Sequence, residues 1–408
     1  MNSLLNWAAW AAAFFLAFVL FPHTVAMRLL LLFSGAGLVL VELGRRAAAK
    51  RASEISFVPP LLVPLALWAA WAVVSLTWTL DRAGTLKELK NEVAYTYLAF
   101  WLCYVTAQTR LAPRLFPVAL GVGATAACAV VIYFFWFPSS ELLRLGLHNG
   151  PGDQTSALLT LMPCASVGAW LAAKQGMPRS VRAASLALPL VFVLSAYATL
   201  NRTVWIGFAA QLAVLGALLL GRPEFKARRA DPRWRRLTAL AAVGIAVAGA
   251  GMTLYIQSDR FEHGWSRSLA GDLRLELWPY VVHRIEQRPW TGYGFGRGIL
   301  RHDLYAEFHN GALWHPHNLI LTAGVELGLP GIALLLVLLG ATVRAGWRLA
   351  ADRNDVAAAC GAAVIAVVVG MFVRNMTDML WARQNSLLYW GVIGALLAWG
   401  RAGSRPQN

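Results

Sequence analysis

Stretches of about twenty apolar residues recur along nearly the whole chain, and that pattern limits the folds open to it. Crossing the hydrocarbon core of a bilayer takes roughly 20 such residues in a helix, since no water is there to satisfy an irregular backbone. Twelve candidate spans can be read, at about 5–21, 25–43, 59–80, 92–108, 115–137, 155–173, 183–200, 203–221, 237–255, 319–343, 356–373 and 386–400. Only 14% of the 408 residues are charged and 58% are hydrophobic, against about 25% charged in an average soluble domain. A globular enzyme built round one large core is thereby excluded, and an all-α polytopic membrane protein is expected. No early segment joins a basic start to a small-residue cleavage site, so no removable signal peptide is expected. Cys103, Cys128, Cys164 and Cys360 sit in apolar stretches without CxxC spacing. They read as small core residues, not as disulfides or a zinc site.

The net charge of +16 could mean nucleic acid, anionic lipid or the bias of basic residues towards cytoplasmic loops. Position decides. With the N-terminus in the cytoplasm, the cytoplasmic turns and the C-terminal tail hold 21 of the 36 basic residues and 6 of the 20 acidic ones. That side nets +15 and the rest of the chain +1, so the charge is a topology signal. The densest run, RPEFKARRADPRWRR (222–236), is then a stop-transfer loop, with no nucleic-acid partner expected.

Three sections result: helices one to nine over 1–255, a long loop over 256–316 on the non-cytoplasmic side, and helices ten to twelve with a cytoplasmic tail over 317–408. The loop carries Arg260, Arg267, Arg274, Arg284, Arg288, Arg297 and Arg301, with five of the eight histidines. Seven acids nearby balance these arginines, and ion pairing within the loop is the plain explanation for any one of them. Inside it, GDLRLELWPYVVHRIEQRP has Leu273, Leu277, Val281 and Ile285 on one stripe, which predicts an amphipathic helix starting near Asp272, on the membrane surface or over a cavity. Pro279 is a candidate kink. The glycines of TGYGFGRG, at 292, 294, 296 and 298, lack the spacing and the strand–helix setting of a nucleotide-binding loop. They predict backbone packed closely against another element, or a loop that must bend.

Several chemistries are missing from the sequence. No DxD or ExD pair lies on the outer side, so the carboxylate clamp for a divalent ion on a phosphate is not visible. GxSxG, HExxH and Walker patterns are also lacking. What the outer face offers is arginine, histidine and asparagine. Arginine grips a diphosphate through planar, paired hydrogen bonds without a metal. Arg202, in TLNRTVW between spans seven and eight, lies nearly at membrane depth. A charge there calls for a partner or a task, unless it snorkels to the interface. Arg267 and Arg274, seven apart, would share a helix face.

His317 opens span ten behind Pro316. An imidazole changes charge near physiological pH and can take a proton from a sugar hydroxyl. His315 forms an HxH pair with it and is a second candidate base, or half of a metal site, although no third ligand stands at a sound spacing. Asn318 either caps the helix or meets substrate. Glu326, half a turn round a continuous helix from His317, reads as a structural or second-site carboxylate. HNGPGDQT (148–155) is a further candidate contact with donor or acceptor.

His317-Asn318, nine residues, Gly328, two residues and Gly331 resemble the HN-x9-G-x-x-G signature of bacterial O-antigen ligases. These belong to a superfamily of polytopic glycosyltransferases that includes O-antigen polymerases and protein O-oligosaccharyltransferases. RLELWPYVVHRIEQRPWTGYGFG (274–296) resembles the superfamily's arginine, tryptophan, proline and glycine pattern ahead of the histidine. LNRT (200–203) resembles its short arginine motif. The resemblance implies a fold of the glycosyltransferase-C type in the bacterial inner membrane, with about twelve helices, both termini cytoplasmic, and short helices in a long periplasmic loop. It implies no cofactor and no metal. The donor would be O-antigen on undecaprenyl diphosphate, the acceptor a sugar of lipid A–core, in a bed of membrane lipids. His317 would be the general base and Arg202 a catalytic partner. Arg267, Arg274 and Arg301, with His315 and Asn318, would bind substrate.

Rivals are the polymerase or oligosaccharyltransferase of the same superfamily, from which the modest loop leans away, and a lipid-linked saccharide flippase. A flippase should show internal repeats and midplane charges. No repeat is visible.

Overall fold

The computed structural model describes residues 3–49, 55–137, 151–199, 201–220, 273–311, 313–377 and 383–404. Every regular element among them is helical. They are α1 (Ser3–Phe18), α2 (Val25–Ala48), α3 (Leu62–Val74), α4 (Arg82–Glu88), α5 (Tyr95–Thr106), α6 (Ala112–Trp136), α7 (Pro151–Lys174), α8 (Arg179–Ala198), α9 (Arg202–Leu220), α10 (Arg274–Gln287), α11 (Arg301–Phe308), α12 (Leu319–Ala350), α13 (Asp355–Asn375) and α14 (Gln384–Gly403).

Six of the described helices are long and apolar enough to cross a membrane, those in α2, α6, α7, α8, α12 and α13. The chain is thus a multi-pass membrane protein, with fewer full-length helices among the described residues than the twelve apolar stretches predict. The expected span at 237–255 lies outside those residues. Elsewhere the apolar stretch outruns the helix. The one expected at 59–80 is α-helical only to Val74, followed by a 3-10 turn over Ser75–Thr77. Its tail leaves the helix to bond a glycine-rich segment: the Ser75 hydroxyl accepts from the Phe295 amide (3.1 Å), and the Leu80 amide donates to the Tyr293 carbonyl (3.1 Å).

Side-chain contacts order the helices by level. Lys174 at the end of α7 pairs with Asp355 at the start of α13, so these two run antiparallel. Midway, Gln211 of α9 donates to the Leu159 carbonyl of α7 (2.6 Å) and lies against Gly370 of α13. Gln154, near the start of α7, reaches Ser195 near the end of α8 (3.5 Å). The chain therefore turns into α9, at Arg202, at the end of the bundle where α7 begins. Asn318, capping α12, donates to the Met376 carbonyl just past α13 (3.0 Å). The starts of α7, α9 and α12 and the ends of α8 and α13 consequently share one end, called here the histidine end.

The core lies on α13 and α14. Almost every residue of α13 is buried, on all faces. Runs such as Ala357–Ala358–Ala359 and Gly361–Ala362–Ala363 let its backbone approach α12, where the Gly346 carbonyl lies against Gly361. Small residues serve this purpose between membrane helices, where close packing replaces the hydrophobic drive.

Candidate functional site

The amphipathic helix forms as α10, and its stripe buries Leu277, Val281 and Ile285. Leu273 stays outside the helix and 40% exposed, so the buried stripe starts one turn later than the heptad-like spacing suggests. Pro279 is accommodated within α10; the carbonyl it deprives of a partner belongs to Leu275, on the exposed side. The stripe rests on α12, with the Ile285 side chain over Gly324. From the same helix, the Trp278 indole donates to the Pro316 carbonyl (3.1 Å), tying α10 to the residue before His317.

After α10 the alternating glycines run as an irregular segment along α12, where that helix is broken, with Gly292, Gly294 and Gly296 at φ 62°, 112° and 143°. Gly328 has φ 68° and ψ −166°. The break strips three carbonyls of their helical donors: the Leu329 amide donates instead to Pro289 (2.7 Å), Pro330 has no N–H, and Gly331 lies beyond the kink. Other donors replace them. The Tyr293 amide bonds the Val325 carbonyl (2.8 Å), the Gly294 amide bonds that of Glu326 (2.9 Å), and the Trp71 indole bonds that of Leu327 (3.0 Å). A side chain on Gly292 would put its Cβ 2.6 Å from the Val325 carbonyl oxygen. The segment can lie this close only without one.

The broken helix supports the histidines. Asn318 spends its amide within the protein: Oδ1 accepts from the Ile320 (2.9 Å) and Leu321 (3.1 Å) amides, while Nδ2 holds Met376. This is an N-cap. His317, just before it, is half-buried with φ 51°, a left-handed conformation uncommon outside glycine. Its amide donates to Nδ1 of His315 (3.1 Å), and the two rings lie 3.8 Å apart between centroids. When neutral, His315 must then carry its proton on Nε2. It is 4% exposed. Trp314 packs edge-on against it (4.3 Å), and the Arg297 guanidinium lies over that indole (5.2 Å). Ring contacts thus run in series from Arg297 to His317.

The predicted arginines fare differently. Arg202 opens α9 at the histidine end, and its side chain lies outside the described residues, as does all of Arg267. Arg274, half-buried, is the first residue of α10, one turn ahead of Trp278 and on the same face. Arg301 begins α11 and is exposed. In HNGPGDQT, residues 148–150 lie outside the described residues and the rest open α7.

Reasoning from the sequence named Glu326 as a structural or second-site carboxylate but missed the residues that gather round it. Glu326 is 4% exposed and faces a cavity with about 670 Å³ of empty space, counted out to its mouth. Glu88, Glu92 and Arg297 also line it. Glu92 accepts from the Arg383 amide at the head of α14 (2.7 and 2.9 Å), and Arg297 lies within electrostatic reach of Glu92 and Glu326. No local signal marks Glu88 and Glu92, which are far from Glu326 in the chain.

A multi-pass helical bundle with a loop helix, a mended helix break and paired histidines at one end is the class these observations define. Within it, residues 186–336 match the family model described as O-antigen ligase. The matched stretch includes Arg202, α10, the glycine segment, His315, His317 and the Gly328 break. Two curated proteins, of Rickettsia conorii and Rickettsia felis, both provisionally named polysaccharide ligases, are each 30% identical over 115 residues. The matched part is 26% of this chain and 28% of each relative's length.

Proposed function

We propose that the protein transfers a polysaccharide from undecaprenyl diphosphate to a sugar hydroxyl of lipid A–core, on the periplasmic side of the bacterial inner membrane. The observation that carries this reading is the O-antigen ligase match over 186–336, which takes in the arginine of α9 and the histidine segment together. The shared level of Arg202 and His317 in the bundle supports it.

In this scheme His317 takes the proton of the acceptor hydroxyl while that oxygen attacks the anomeric carbon. The bond from that carbon to the diphosphate oxygen breaks, and undecaprenyl diphosphate leaves with its pair of electrons. Arg202, Arg267, Arg274 and Arg301 stabilise the charge growing on the leaving group, which requires cations where the charge develops. A single displacement inverts the anomeric centre. His315 orients His317 through the amide-to-Nδ1 bond, and the hydrogen-bonded Asn318 cap fixes the turn presenting both.

The test is transfer by purified protein in detergent, given donor and acceptor lipids. Polymer joined to lipid A–core is expected. Elongation of the lipid-linked chain instead would make the protein a polymerase, and product on a peptide an oligosaccharyltransferase. No product in detergent, but translocation in vesicles, would make it a flippase.

A further inference from the structure

The cavity around Glu326 offers a diphosphate little to hold it: the carboxyl groups of Glu88, Glu92 and Glu326 face it, and Arg297 is the one cation in its described lining. A metal ion fits no better, because no group of three His, Cys, Asp or Glu among the described residues is placed to hold one. Its walls also carry the indoles of Trp68 and Trp390 and the ring of Tyr97, beside aliphatic side chains such as Leu335 and Leu338. The Tyr97 hydroxyl is buried with no hydrogen-bond partner, and an orphaned buried hydroxyl calls for an explanation. The carboxylates keep acceptor capacity beyond their contacts to the Arg383 and Gly296 amides, since each offers about four acceptor positions. Carboxylate acceptors, an idle hydroxyl and flat indole faces suit a neutral ring that carries several O–H donors and one apolar face. The cavity also communicates with the histidines, because Arg297 in its wall stacks on Trp314 beside His315.

We propose that this cavity, bounded by Glu88, Glu92, Tyr97, Arg297 and Glu326, is a saccharide subsite that holds one neutral sugar ring by its hydroxyl groups, separate from the arginines assigned to the diphosphate. The identity of the sugar's carrier rests on the transferase reading above; the binding does not.

The experiment is saturation-transfer NMR on the full chain in nanodiscs, with glucose, galactose and N-acetylglucosamine as probes and inorganic pyrophosphate as competitor. At least one sugar should show saturated ring protons, undiminished by pyrophosphate. Glu326→Gln and Tyr97→Phe should each weaken that binding about tenfold, the loss of one good hydrogen bond. Tyr97→Phe keeps the ring and its packing, so it decides the matter if Glu326→Gln fails to insert. The proposal is overturned if no sugar binds, if pyrophosphate displaces it, or if inserted variants bind as wild type does. In the transfer assay, the same variants should raise KM for one saccharide lipid with kcat held within about twofold. The lipid whose KM rises identifies the ring as donor or acceptor. Sugar binding by a wild-type protein that transfers nothing sinks the transferase reading and leaves the subsite standing; transfer without sugar binding does the reverse.

Discussion

At the scale of single residues, the two histidines that look equivalent in sequence are not equivalent in place. His315 is buried, its Nδ1 taken by the His317 amide, while His317 is half-buried in a left-handed turn. His317→Ala should therefore lower the transfer rate by roughly 10²–10⁴, the contribution of a positioned base, with membrane insertion unchanged. His315→Ala, which removes an orienting contact, should cost less. Equal losses, read from initial rates of matched preparations, would remove the distinction. Arg202→Ala should cripple transfer and Arg202→Lys restore only part of it, because the planar fork that grips two phosphate oxygens is gone. Complete rescue by lysine would reduce its role to bare charge.

Among elements, the join between the glycine segment and the broken α12 holds the site together. A methyl group at Gly328 would stand 2.5 Å from the Pro289 carbonyl oxygen, on a backbone with φ 68°. Gly328→Ala should cost on the order of 1–3 kcal/mol, seen as a lower melting temperature in detergent together with lost transfer. Gly340→Ala is the control in the same helix: a Cβ there meets nothing within 4 Å, and alanine is the better helix former by roughly 1 kcal/mol. A Gly328→Ala protein as stable as the Gly340→Ala one would mean that the break is not needed. The glycine spacing was plain in the sequence, and so was the choice between close packing and bending. Which partner demanded it was not, because the glycine segment packs on Thr79, and its Phe295 bonds Ser75, 220 positions away. Part of α10 was equally legible: its stripe predicted Leu277, Val281 and Ile285 inwards, but not that Leu273 would fall outside the helix.

For the whole molecule, a scheme in which arginines carry the counter-charge predicts full transfer in EDTA, measured after the lipid substrates are freed of divalent ions. A strict requirement for added Mg²⁺ or Mn²⁺ would bring back a metal-based scheme. The apolar stretches by themselves determined that this chain lives in a bilayer, since hydrophobicity over about twenty residues is a local property that no tertiary contact can hide. The short spacing from His317 to Gly331 likewise showed, in sequence, the resemblance that the match over 186–336 supports. Tertiary structure alone decided where the helices stop short, which donors mend the broken α12, how His315 serves His317, and that Glu88 and Glu92 confront Glu326 across a cavity. Contacts between residues far apart in the chain impose no period on the sequence around them, so they become visible only once the bundle has closed.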